Sequence, residues 1–190
     1  YWVQLADFQA ERPEPGGSAW AELREAQTMT MSKLPNTGEA VIIDLGEAND
    51  IHPRDKQNVA KRLARWALAK DYGFKIPYQS PTFKECEVID QRVQVTFDHV
   101  DGALKAYDYA DVRGFAVAGE DKKWYWATAQ IMPNSPNKVL VSSPQVKKPV
   151  AVRYGWAHYP VVNLANKEGL PASPFRTDDF LMTTRPKSPR

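Results

Sequence analysis

Ala40-Val41-Ile42-Ile43-Asp44-Leu45 runs straight into Gly46-Glu47-Ala48-Asn49-Asp50-Ile51-His52-Pro53, and this junction decides how the first half of the chain reads. The first six residues are apolar at consecutive positions, as a strand buried on both faces of a parallel sheet is. Beyond the loop, residues 53–72 place Val59, Leu63 and Trp66 on one helical stripe, with Pro53 suited to a first helical position and Gly73 to the stop. In the other direction, residues 1–6 form an earlier short apolar run. Arg12-Pro13-Glu14-Pro15-Gly16-Gly17 is a loop, and Ser18 is an N-cap for a helix over 19–33, whose apolar face begins with Trp20 and Leu23. Pro35-Asn36-Thr37-Gly38 then turns the chain into residues 40–45. Strand–helix–strand–helix with short connections predicts a parallel α/β sheet over residues 1–76.

After Tyr78 the periodicity drops to two. Val93, Val95 and Phe97 alternate with Arg92, Gln94 and Thr96 inside an antiparallel strand within 87–100, and further strands are expected at 114–118, 124–129, 138–142 and 150–154. Asp101-Gly102, Gly119-Glu120-Asp121, Asn134-Ser135-Pro136-Asn137 and Ser143-Pro144 punctuate them at the spacing of a β-sandwich, predicted over 77–182. Trp124, Tyr125 and Trp126 are read as core; an aromatic platform for sugar rings is the competing reading. Residues 163–190 carry four prolines and few periodic apolar residues, so they read as an extended tail that frays over 183–190.

Composition narrows the function classes. With 25 basic and 23 acidic residues in 190, the net charge of +2 gives no field to recruit nucleic acid or an anionic membrane. The basic stretch 56–70 alternates its charges with the apolar stripe, as a solvated helix face does. No run approaches the roughly 20 apolar residues that span a bilayer. The single Cys86 excludes an intrachain disulfide, has no Cys or His at zinc-ligand spacing, and leaves the compartment open. A chain that opens on Tyr1-Trp2-Val3-Gln4-Leu5-Ala6 reads as a piece of a longer one.

The chemistry is expected in the loop 46–53, because ligands of open α/β sheets bind at the carboxyl ends of the strands. His52 there is one of three histidines. It suits a general base toward a serine hydroxyl if an acid fixes its other ring nitrogen. Position alone leaves that role level with a histidine capping the helix start. Ser18 satisfies a loose Gly-x-Ser pattern, but its job as N-cap is the better reading. His99 and His158 are read as structural.

Asp50-Ile51-His52-Pro53 with Arg54-Asp55-Lys56-Gln57 and Arg62-Leu63-Ala64 resembles the sialate O-acetylesterase family of SGNH (GDSL-like) hydrolases. The resemblance continues through Phe97-Asp98-His99-Val100-Asp101-Gly102, Gly114–Asp121, Val152-Arg153-Tyr154-Gly155-Trp156, Asn163-Leu164 and Gly169–Asp178, nearly the whole chain. It implies the C-terminal part of an SGNH-type α/β/α sheet followed by a β-sandwich-like domain, with residues 183–190 as a tail. It also implies an acetylated sugar as substrate, sialic acid or a related glycan, with no metal or organic cofactor, and a periplasmic or extracellular setting. His52 becomes the catalytic base. The family's acid stands three residues before the histidine, where this chain has Asn49; Asp50 is therefore the expected partner, with Asp44 and Glu47 as lesser candidates. The family's Gly-x-Ser nucleophile block has no counterpart here, so the N-terminal remainder of the same protein is the expected partner. A non-catalytic carbohydrate-binding or structural unit built on the β-rich half is the second reading.

Overall fold

The computed structural model describes residues 1–108 and 111–185. β1 (Trp2–Val3), α1 (Ala19–Thr30), β2 (Glu39–Ala40) and α2 (Lys56–Lys70) follow in the order the sequence predicts. β1 and β2 are parallel, with the amides of Trp2 and Gln4 donating to the carbonyls of Gly38 and Ala40 at 3.0 and 2.9 Å. The ladder ends there, and only an isolated parallel bridge between Phe8 and Glu47 follows. Val41, Ile42 and Ile43 are buried as expected, but the expected strand 40–45 keeps only Ala40 in a ladder. The chain bends instead, and the Leu45 amide turns back to the Ile42 carbonyl at 3.1 Å.

Both helices differ from their expected bounds for local reasons. α1 starts where predicted, Ser18 accepting the Ala21 amide at 3.2 Å, but it closes at Thr30 because Ser32 and Lys33 bond three residues back in tight turns. Its predicted apolar face holds at Trp20, which packs on Phe8 and His158, but not at Leu23. Leu23 and Met29 are half-exposed, at 50% and 55%, whereas Glu22 and Arg24 are buried. α2 starts at Lys56, not Pro53, because the Asp55 carboxylate accepts the Asn58 amide at 3.0 Å and caps the helix there. Trp66 anchors it, the indole N–H donating to the Glu39 carbonyl at 2.9 Å. Its basic face is not wholly solvated: Arg62 and Arg65 turn inward to Asp44 and to the Pro77 carbonyl.

The remainder is antiparallel: β3 (Thr82–Ile89), β4 (Arg92–Asp98), β5 (Leu104–Ala106), β6 (Phe115–Ala118), β7 (Trp124–Trp126), β8 (Thr128–Met132), β9 (Ser135–Ser142), β10 (Ala151–Tyr154), β11 (Leu164–Asn166) and β12 (Phe175–Arg176). They form sheets in the orders β3-β4-β9-β8 and β12-β10-β6-β7, and a separate β11-β5 pair. Val93, Val95 and Phe97 of β4 are buried as the alternation requires, and pack with Val139, Val141, Phe115, Val117, Val152 and Phe175. Val41 and Ile43 join the same cluster. The whole is therefore a mixed α/β structure with mostly antiparallel sheets. A sandwich fits loosely, since strands of two to eight residues are divided among three sheets.

Three further expectations change. The turn expected at 134–137 is a tighter hairpin at Pro133-Asn134, with Ser135 already in β9. Trp126 is 42% exposed, not core. The stretch after 163 is no loose tail: Leu164, Ala165, Leu170 and Ala172 are buried in it. Its order comes from polar side chains instead of periodicity. The Asn166 side-chain carbonyl accepts the amides of Glu168 and Leu170, and Asn163 donates to Asp108 and to the Asp111 carbonyl. Thr183 and Thr184 are held by the Glu22 carboxylate at 2.7 and 2.8 Å; the part of the expected fraying tail at 186–190 lies outside the described residues.

Candidate active site

Gly46 makes the sharp exit from the buried run 41–45. Any side chain there would run into the carbonyl and carboxylate of Asp7, and the Gly46 amide donates to that carboxylate at 2.6 Å. Gln9 bonds the Ala48 carbonyl at 3.1 Å, so the segment after β1 and the loop 46–53 lie side by side.

Within the loop, Asp50 holds His52 twice. One carboxylate oxygen accepts the His52 amide at 2.9 Å and faces the ring Nδ1 at 3.1 Å. With the proton on Nδ1 donated to Asp50, Nε2 keeps its lone pair and is the acceptor a hydroxyl nucleophile needs. These two bonds, the backbone one first, hold the Asp50 carboxyl below its ordinary pKa. The imidazole is 80% exposed. The lesser candidates are engaged elsewhere: Asp44 in a bidentate pair with Arg62 at 2.5 and 2.7 Å, Glu47 with Arg54 at 3.2 Å.

Ser18 meets an imidazole too, though not that of His52. Its hydroxyl lies 3.3 Å from His158 Nδ1 while capping α1, and the residue is 1% exposed. Burial, with help from Arg12 and Arg24, holds the His158 pKa below its ordinary value and so keeps the ring neutral. A hydroxyl sealed from solvent has no room for a substrate, so the pair acts as a cap and a tie. His99 is exposed, in a left-handed turn at φ 58° after β4.

Two residues beneath the loop went unnoticed in the sequence. Asp7 is buried, and desolvation lifts its carboxyl to a pKa of about 6. Arg24 is fully buried and, among the described residues, makes no ion pair with a carboxylate; it donates instead to the carbonyls of Leu5, Ala6, Ala157 and His158 at 2.7 to 2.9 Å. Burial lowers its pKa to about 10. Asp7 follows the first strand as the His52 loop follows the second, so the rule that pointed to His52 could have found it. No such signal marks Arg24. Among the described residues, no group of three His, Cys, Asp or Glu side chains is placed to hold a metal.

No family model matches the chain. It is 30% identical to the mouse sialate O-acetylesterase, over 84% of this chain and 31% of that protein. The human sialate O-acetylesterase is 27% identical, over 83% and 32%. A crystal structure of a carbohydrate acetylesterase from Xanthomonas citri superposes with a TM-score of 0.85 at 44% identity, covering 94% of this chain and 41% of that one. The chain thus spans about a third of the length of the curated relatives it matches. Over most of its own length, the chain is a relative of the sialate O-acetylesterases and matches a portion of them.

Proposed function

We propose that this chain is the C-terminal part of a carbohydrate O-acetylesterase, with His52 as its general base and Asp50 as the residue that orients it. The observation that carries the reading is the 44% identity to a carbohydrate acetylesterase at a TM-score of 0.85, in a chain whose exposed loop holds an imidazole pre-aimed by a carboxylate. On this reading residues 1–76 complete an SGNH-type α/β catalytic domain and residues 77–182 form a β-sandwich-like accessory domain. The nucleophilic serine lies on polypeptide outside this chain: among the described residues, the bonds of His52 run to Asp50 alone.

The serine oxygen attacks the acetyl carbonyl carbon while His52 Nε2 takes the hydroxyl proton. The tetrahedral intermediate collapses, the sugar oxygen leaves with that proton, and an acetyl-serine remains. His52 then takes a proton from water, whose oxygen attacks the acyl carbon; the serine oxygen leaves with that proton as its hydroxyl is restored, and acetate is released. Asp50 stabilises the imidazolium formed at each step.

The test uses p-nitrophenyl acetate. The 190-residue chain and its His52→Ala variant are expected to be equally inactive. The longer polypeptide that contains this chain is expected to turn over and to lose about 10²–10⁴-fold in kcat with His52→Ala. Turnover by the chain alone that depends on His52 defeats the external serine. Full activity of His52→Ala in the longer protein defeats the base.

A further inference from the structure

A cavity of about 530 Å³ opens at the other end of the segment that supports the His52 loop. Its volume falls within the roughly 300–1,000 Å³ of small-molecule sites. Glu11, Arg12, Asp111, Arg113, Trp126 and Gln130 give it its chemistry, with Thr128 and Tyr159 beside them. Glu11 stands two residues beyond Gln9, whose amide bonds Ala48 in the His52 loop, so one short stretch of backbone serves both places. Trp126 is exposed, but its ring is fixed because the indole N–H donates to the Pro13 carbonyl at 2.8 Å. Thr128 spends its proton on the Ser142 carbonyl at 3.2 Å and keeps lone pairs for a ligand donor.

This lining selects a ligand class. An apolar guest would strip water from two carboxylates and an amide without replacing their hydrogen bonds. A compact anion such as phosphate would meet Glu11 and Asp111 as well as Arg12 and Arg113, and would leave the aromatic wall without a partner. A ring with C–H groups on its faces and hydroxyls at its edge fits both kinds of wall, since each hydroxyl donates to a carboxylate and accepts from an amide. The aromatic face takes the C–H surface.

We propose that this cavity is a saccharide subsite that binds a pyranose ring against Trp126, with Glu11, Asp111 and Gln130 on its hydroxyls. The proposal rests on the carbohydrate reading above but not on catalysis. The subsite holds a sugar unit of the substrate at Glu11, two residues along the chain from the Gln9 amide that bonds the loop carrying His52.

Binding is read without turnover, from the NMR shift of the Trp126 indole N–H during titration of the full chain. The probes are methyl β-D-galactopyranoside, the methyl α-glycoside of N-acetylneuraminic acid, and cyclohexanol. One of the two glycosides is expected to give a saturable shift in the millimolar range while cyclohexanol gives none; which glycoside binds distinguishes a neutral from a carboxylated ring. Trp126→Ala, followed on the Gln130 side-chain amide, is expected to weaken binding at least about tenfold. Glu11→Gln, an exposed loop change that leaves the fold intact, is expected to weaken it several-fold. His52→Ala is expected to leave it unchanged, so a failed esterase assay and a failed subsite remain separable. Saturation by neither glycoside, equal response to cyclohexanol, or undiminished binding in both Trp126→Ala and Glu11→Gln overturns the proposal.

Discussion

α1 and β4 bury opposite kinds of residue. β4 turns Val93, Val95 and Phe97 inward, and its backbone is satisfied by β3 on one side and β9 on the other. α1 turns Glu22, Arg24 and Thr28 toward the protein and leaves Leu23 and Met29 in the open. The difference follows from what each must satisfy. A strand between two neighbours has no orphaned amides or carbonyls, so its side chains are free to be apolar. β1 pairs for only two residues, and the chain beyond it still has backbone groups to satisfy. α1 supplies the partners: Gln27 accepts the Leu5 amide at 2.9 Å, Trp20 donates to the Ala6 carbonyl, and Arg24 donates to both carbonyls. Side-chain polarity on the inward face compensates for a short ladder.

The largest test of that contrast is Arg24→Met. Trp20 still serves Ala6 and the Phe8 amide still serves His158, but the carbonyls of Leu5 and Ala157 lose the partner that Arg24 gives them. A loss of about 3–5 kcal/mol in urea unfolding is expected, despite the similar apolar volume of the new side chain. A loss under about 1 kcal/mol would mean that the buried guanidinium is incidental.

Asp7 sharpens the comparison through pH. Its folded pKa of about 6 lies above the ordinary 3.8, so between those values the folded chain binds the extra proton. The contribution of Asp7 to stability therefore falls as pH rises from about 4 through 6, by at most roughly 3 kcal/mol, and is flat beyond. Asp7→Asn keeps an acceptor for the Gly46 amide and is expected to remove that slope. Identical pH profiles of urea midpoints for the two proteins would rule Asp7 out as its source.

The smallest effect belongs to the exposed side of α1. Leu23→Gln is expected to shift stability by no more than about 0.5 kcal/mol in the same unfolding assay, because the position packs against little. A larger loss would show that Leu23 supports the fold after all.

What was legible in the sequence was what depends on near neighbours. Ser18, Val93, Val95 and Phe97 all follow from spacings of two or three residues, and the structure places each accordingly; the contact of Asp50 with His52 at 3.1 Å is equally local. Burial of Val41–Ile43 was legible too, but their strand was not, because the turn at Ile42–Leu45 depends on Gly46 meeting Asp7, 39 residues away. Arg24 reads as a surface charge on any helical wheel, and its carbonyl partner at Ala157 is 133 residues distant. The stretch from Asn163 escaped because asparagine side chains order it, and they leave no hydrophobic period.

The double grip of Asp50 has a practical consequence. Because the imidazole takes its aim from a residue two places away, its hydrogen bonds involve none of the side chains that line the cavity at Trp126 and none from the strands of the β-rich half. An engineer can therefore reshape the cavity for a different ligand without retuning the histidine. The two can be varied as separate dials.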